Sequence, residues 1–106
     1  MEDINISNAE FSICNEKDLN LPLFLQIKVS LQDNNKFIML LDTDKHLIYS
    51  KYIYDTLTDI DRLTVDRVCK EIDTNNIKDK FINYTEKCKH NYINEYKQKL
   101  LDNCEV

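Results

Sequence analysis

Three side chains that can bind a metal ion lie at alternate positions in one polar segment of the chain. Asp42, Asp44 and His46 offer carboxylate oxygens and an imidazole nitrogen, and oxygen-rich turns bind hard cations. An EF-hand loop that began at Asp42 would need glycine at its sixth position and glutamate at its twelfth. Those positions hold Leu47 and Ile53. The sequence therefore predicts a solvated turn here and no metal site.

Cys88 and His90 are a second pair of residue types that bind metals. Two positions apart on a helix, their side chains diverge by about 200°, so they do not converge on one zinc ion. The other cysteines, Cys14, Cys69 and Cys104, lie at long and irregular spacings, as is usual for free thiols of a cytosolic protein. We expect neither a zinc site nor a disulfide.

The residues needed for covalent or nucleotide-dependent catalysis are scarce. A nucleophilic serine or cysteine needs an adjacent base, and His46 and His90 are the two histidines. The chain has no glycine, so it lacks both a glycine-rich nucleophile elbow and a glycine-rich phosphate loop. Paired carboxylates such as Asp55 and Asp59 are typical of the solvated surface of an acidic protein. We expect no enzyme and no cofactor.

The middle third of the chain predicts an antiparallel sheet that would position these side chains. Odd positions from Leu23 to Leu31 are apolar and even positions from Gln26 are polar, which is the period of a strand with one buried face. The run 37–41 is apolar throughout and predicts a central strand covered on both faces. Asp and Asn suit turns, and they predict one turn at 33–36, before the run 37–41, and another at 42–45, before a strand at 46–49. We also expect an edge strand at 10–14.

Helical patterns follow the predicted sheet. Ser50 is a candidate N-cap for a short helix that would place Ile53, Leu57 and Ile60 on the sheet, while the alternative extends the strand through Ile53. A second helix is predicted from Thr64, and residues 73–76 interrupt it. The last helix carries an apolar stripe at helical spacing: Ile77, Phe81, Tyr84, Cys88, Tyr92, Tyr96 and Leu100. Residues 77–101 would span about 37 Å, so we expect the end of this helix to project.

These patterns predict a single α+β domain over residues 1–106. Its architecture would be an antiparallel three- to four-stranded meander followed by a short helix and two C-terminal helices packed on one face. Asn, Lys and Ile each occur twelve times, which indicates an AT-rich genome. No apolar run reaches the length of a secretory or membrane segment, so we expect a cytoplasmic protein that does not bind membranes.

Charge is distributed unevenly along the chain. The net charge is −5, which disfavours a protein whose whole surface binds nucleic acid. The segment 55–73 holds three basic residues and twice as many acids: Asp55, Asp59, Asp61, Asp66, Glu71 and Asp73. Such a segment can steer and orient a basic partner.

The leading functional hypothesis is a small acidic inhibitor, such as an immunity protein, that occludes a basic partner such as a toxin nuclease. One alternative is a nucleic-acid-binding or regulatory protein that uses the lysines and tyrosines of the last helix, although those tyrosines coincide with the apolar stripe and are expected to pack. A second alternative is a viral or structural interaction subunit. For it, Tyr92, Tyr96 and Leu100 would form the homodimer or partner patch.

Overall fold

A computed structural model describes residues 4–17 and 21–104, with side chains described up to residue 101. Its strands are β1 (Ala9–Asn15), β2 (Pro22–Ser30), β3 (Lys36–Asp42) and β4 (Leu47–Ile48). Its helices are α1 (Lys51–Thr56), α2 (Asp59–Thr74) and α3 (Ile77–Cys104). The strands form one antiparallel sheet in the order β1-β2-β3-β4. The predicted α+β class and strand meander are confirmed.

The turns form where Asp and Asn predicted them. Asp33 and Asn34 have φ angles of 56° and 62° in the turn between β2 and β3, a conformation that short polar side chains tolerate. β4 is shorter than expected because Ser50 already caps α1, its hydroxyl accepting a hydrogen bond from the Ile53 backbone nitrogen at 3.2 Å. Continuation of the strand through Ile53 was therefore the wrong alternative.

The core lies between one face of the sheet and the two long helices. The sheet contributes its odd-numbered residues, all at most 2% exposed: Leu25, Ile27, Val29, Phe37, Met39 and Leu41. The helices contribute a second set, at most 1% exposed: Val65, Val68, Ile72, Ile77 and Phe81. The helices pack on one face, as predicted.

The prediction that β3 is covered on both faces is wrong. Ile38 is 39% exposed, and β3 alternates between buried and less buried residues. Ile38 and Leu40 stand opposite Lys28 and Gln26 of β2, on the face away from the helices. The run is apolar without a break because its odd-numbered residues face the core, while Ile38 and Leu40 are apolar side chains on the open face.

The short helix packs only partly as expected, because Leu57 packs against the core whereas the two isoleucines do not. Ile53 and Ile60 are 51% and 58% exposed, and α1 instead contacts the sheet through Tyr54, whose ring lies 6.2 Å from that of Phe37. Leu57 and Thr58 are extended, with ψ of 156° and 163°, so the helical phase breaks between the two isoleucines. α2 then begins at Asp59, five residues before the predicted start.

α3 leaves the domain halfway along its length. Ile77 and Phe81 are fully buried, Thr85 is 1% exposed, and every residue from 89 to 101 is exposed. The molecule measures 67 Å along its longest axis and 24 Å along the next, so the predicted projection is confirmed. Among the described residues, no helix is both long and apolar enough to cross a membrane.

Candidate protein-binding surface

The solvent-facing side of α2 carries a row of three carboxylates, here called the aspartate row: Asp59, Asp66 and Asp73. Residues seven apart on an α-helix point within about 20° of one another and lie about 10 Å apart along the axis. All three are exposed. The row begins at the N-terminus of the helix, where the Thr58 hydroxyl accepts a hydrogen bond from the Asp61 nitrogen at 3.2 Å and where negative charge is favourable.

Each member of the aspartate row has a partner within the chain. Asp59 pairs with Arg62, and an Asp73 oxygen lies 3.4 Å from Nζ of Lys78. Asp66 accepts a hydrogen bond from the Tyr54 hydroxyl at 2.7 Å, and this bond raises the pKa of Tyr54. Exposed pairs of this kind contribute little to stability. The carboxylates can therefore exchange these partners for the cations of another molecule.

Asp61 lies inside the domain and not in the aspartate row. It is 6% exposed, and its Oδ1 accepts a hydrogen bond from the backbone nitrogen of Gln32 at 3.2 Å. Its direction on α2 differs from that of Asp59 by about 200°. Charge counted along the sequence cannot separate these two residues, whereas helical phase separates them once the start of α2 is known.

The two remaining acids of the predicted surface, Asp55 and Glu71, are not members of the row. On α1, Asp55 lies 3.1 Å from Nζ of Lys51. On α2, Glu71 holds Arg67 at 2.7 Å, and Arg67 in turn donates to the Ser7 carbonyl at 3.0 Å. Glu71 therefore helps to tie α2 to the segment that precedes β1.

Exposed apolar side chains on α1 and α2 were missed by the sequence analysis. Tyr52 is 80% exposed and Leu63 is 68% exposed, in addition to Ile53 and Ile60. Stable interfaces combine apolar contacts with a polar rim. Ile60 and Leu63 lie within the acidic segment 55–73, and Tyr52 and Ile53 precede it on α1. The signal that could have found them is Thr58, a strong N-cap that separates the two helices.

The predicted patch on α3 lies on its projecting part. Tyr92, Tyr96 and Leu100 are 37%, 56% and 47% exposed, so they do not pack on the sheet. The lysines of this region do not share one face, since Lys97 and Lys99 point about 200° apart. The projecting part is therefore apolar on one side without a matching continuous basic face.

The polar segment after β3 is closed by its own carboxylate. Asp42 Oδ1 accepts hydrogen bonds from the backbone nitrogens of Asp44 at 2.9 Å and His46 at 2.8 Å. These bonds, chiefly that from His46, lower the pKa of Asp42. The atoms of Asp42, Asp44 and His46 that could ligate a metal ion, two carboxylate oxygens and one imidazole nitrogen, lie within 4.8 Å of one another. This spacing suits an ion. However, Oδ1 of Asp42 already accepts two backbone hydrogen bonds of the turn, and Oδ2 lies 3.1 Å from Nδ1 of His46.

Comparison with protein-family models, with curated proteins and with solved structures finds no match. The functional proposal for this chain therefore depends on the geometry of its own surface.

Proposed function

We propose that the chain is a non-enzymatic protein-binding protein whose α2 surface occludes a basic partner, such as a toxin nuclease held by its immunity protein. The observation that supports this most is the aspartate row, with Ile60 and Leu63 exposed beside it. In such a complex the three carboxylates take the places that substrate phosphates would occupy against lysines and arginines of the partner.

The mechanism has an electrostatic and an apolar part. The net charge of −5 attracts a cationic partner and speeds its approach. Once the partner is docked, Ile60 and Leu63 lose contact with water, which contributes about 25 cal/mol for each Å² of apolar surface buried. Inhibition by this route needs no reactive group in the inhibitor, because it acts by covering the partner's site.

Co-purification with the products of the neighbouring reading frames tests this proposal. We expect one basic protein to bind the native chain, and we expect the triple variant Asp59→Lys, Asp66→Lys, Asp73→Lys to lose it. The matched control is Glu10→Lys, Glu86→Lys, Glu95→Lys, which changes the net charge equally at exposed positions on β1 and α3. If both triple variants lose the partner equally, or neither does, the aspartate row is not the binding surface.

The nucleic-acid alternative is favoured by one observation. Tyr92 and Tyr96 are exposed, although their spacing predicted that they would pack, and exposed aromatic rings can stack on bases. Anisotropy of a labelled single-stranded oligonucleotide in low and high salt tests it. Binding that weakens steeply with salt and is lost in Tyr92→Ala, Tyr96→Ala would support this candidate, whereas no binding in low salt would remove it.

A further inference from the structure

The first strand of the sheet has an outer edge that no described strand pairs with. Ser30 donates its backbone N–H to the Asn8 carbonyl at 2.7 Å, and bonded pairs alternate along an antiparallel ladder. The even residues of β1 therefore bond to β2. The N–H and C=O groups of Phe11 and Ile13 point away from the sheet.

This edge lacks the features that usually protect an edge strand from pairing. β1 has seven residues and contains no proline or lysine, and Glu10 is its one charged residue. Phe11 and Ile13 are half-buried at the rim of the core. Its irregularity comes only after Cys14. Regular edges with so few charges readily accept another strand.

We propose that β1 pairs antiparallel with β1 of a second copy of the chain, centred on Ser12, so that two four-stranded sheets join into one. In this register the backbone N–H and C=O groups of Phe11 bond to those of Ile13 in the second copy, and those of Ile13 bond to Phe11 of the second copy. If the pairing between the two copies were shifted by one residue, Phe11 would stand opposite an even-numbered residue, whose N–H and C=O already bond to β2. The side chains of one copy would then also lie on the wrong face of the joined sheet. Residues 10–14 then pair completely, while Ala9, whose N–H already bonds to the Ile6 carbonyl at 3.1 Å, lies beyond the paired stretch.

The side chains of β1 are self-complementary in this register. Phe11 stands beside Ile13 of the second copy twice, and pairs of an aromatic with a β-branched residue stabilise sheets. Glu10 stands opposite Cys14 and not opposite its own copy, so like charges do not meet. Ser12 faces Ser12 at the two-fold axis. These matches favour a second copy over an unrelated peptide as the occupant of this edge.

Sedimentation velocity of the full chain over a wide concentration range tests the proposal. A single strand pair is a small interface, so we expect a reversible monomer–dimer equilibrium. Ser12→Lys should weaken the dimer about two- to fivefold, because opposed like charges destabilise a cross-strand pair, while the control Ser12→Thr should retain it. Ser12 is exposed and its hydroxyl makes only a 3.3 Å hydrogen bond to Oε1 of Gln26, so at concentrations where every protein is monomeric the melting temperatures of both variants should lie close to that of the native chain.

Three outcomes would overturn the proposal: a monomer at every concentration, a dimer insensitive to Ser12→Lys, or a dimer lost in Tyr96→Lys, which would assign the contact to α3. The aspartate-row variant should dimerise normally, so this test is independent of the proposed function.

Disulfide trapping provides a second measurement. Opposed residues in a non-hydrogen-bonded antiparallel pair have Cα atoms about 4.5 Å apart, which is within the range that a disulfide spans. Mild oxidation of Ser12→Cys should give a covalent dimer with peptides joined at position 12. The control Asn83→Cys, exposed on α3, contains the same native cysteines. Equal cross-linking of the two variants would contradict the proposed register.

Discussion

The side chain of Asp61 accepts a hydrogen bond from the backbone nitrogen of Gln32, with 3.2 Å between the two atoms, although the two residues are 29 positions apart in the chain. This bond joins the first turn of α2 to the turn that follows β2. Because Asp61 is 6% exposed, water competes poorly for its carboxylate. The residue therefore fixes where α2 begins relative to the sheet, and the aspartate row depends on that placement.

Asp61→Ala should lower the free energy of unfolding by about 1–3 kcal/mol, because it leaves the Gln32 amide without its acceptor. Asp61→Asn keeps an acceptor oxygen and should cost less. Urea denaturation followed by circular dichroism measures both values. The control Asp59→Ala removes an exposed carboxylate two residues away. Equal midpoints for Asp61→Ala and Asp59→Ala would contradict the structural role of Asp61.

The Asp42 turn should make stability depend on pH in the acid range. Hydrogen bonds from the His46 and Asp44 amides lower the pKa of Asp42 below its usual value of 3.8. The carboxylate therefore stabilises the fold above that value, and this contribution is lost as the pH falls through the lowered pKa. The urea midpoint of Asp42→Asn should lie below that of the native chain at pH 7. The difference should shrink as the pH is lowered below 3.8 and through the lowered pKa, and a constant difference would refute this role.

The two halves of α3 should respond differently to truncation of an aromatic side chain. Phe81 is fully buried whereas Tyr96 is 56% exposed on the projecting part. Phe81→Ala should lower the free energy of unfolding by about 3–5 kcal/mol, and Phe81→Leu provides a milder variant. Tyr96→Ala should change it by no more than about 0.5 kcal/mol. A large loss of stability of the monomer in Tyr96→Ala would show that the projecting part packs on the domain.

The cysteines should differ in reactivity. Cys14, Cys69 and Cys88 are free thiols, as predicted. Burial, reinforced by Asp66 and Asp73, raises the pKa of Cys69, whose sulfur lies 3.6 Å from that of Met39. The raised pKa leaves less thiolate on Cys69, and its sulfur is covered on one side by Met39. Alkylation of Cys69 by iodoacetamide at pH 8 should therefore be slower than that of Cys14. Peptide mass spectrometry measures both rates, and the difference should vanish in urea. Equal rates in the native protein would contradict this burial.

The candidate surface was predictable only in part. Asp59, Asp66 and Asp73 belong to the acidic segment that the composition identified, and the structure places them on one face of α2. Asp61 belongs to the same segment and lies inside the domain. Helical phase makes this distinction, and it depends on Thr58 as the start of α2. The outward edge of β1 was also implicit in the predicted edge strand, but its register with β2 decides which residues point outward.

By itself, the sequence determined the order and type of the elements. Period-two and helical spacing, the Asp and Asn turns and the Ser50 cap all act over a few residues, so they can be recognised without knowledge of the fold. Only the tertiary structure decided which apolar residues are buried. Ile53 and Phe81 have the same sequence signature of an apolar residue at helical spacing, yet Ile53 faces solvent and Phe81 faces the sheet. Burial depends on where each helix axis crosses the sheet, which is a property of the packed chain as a whole.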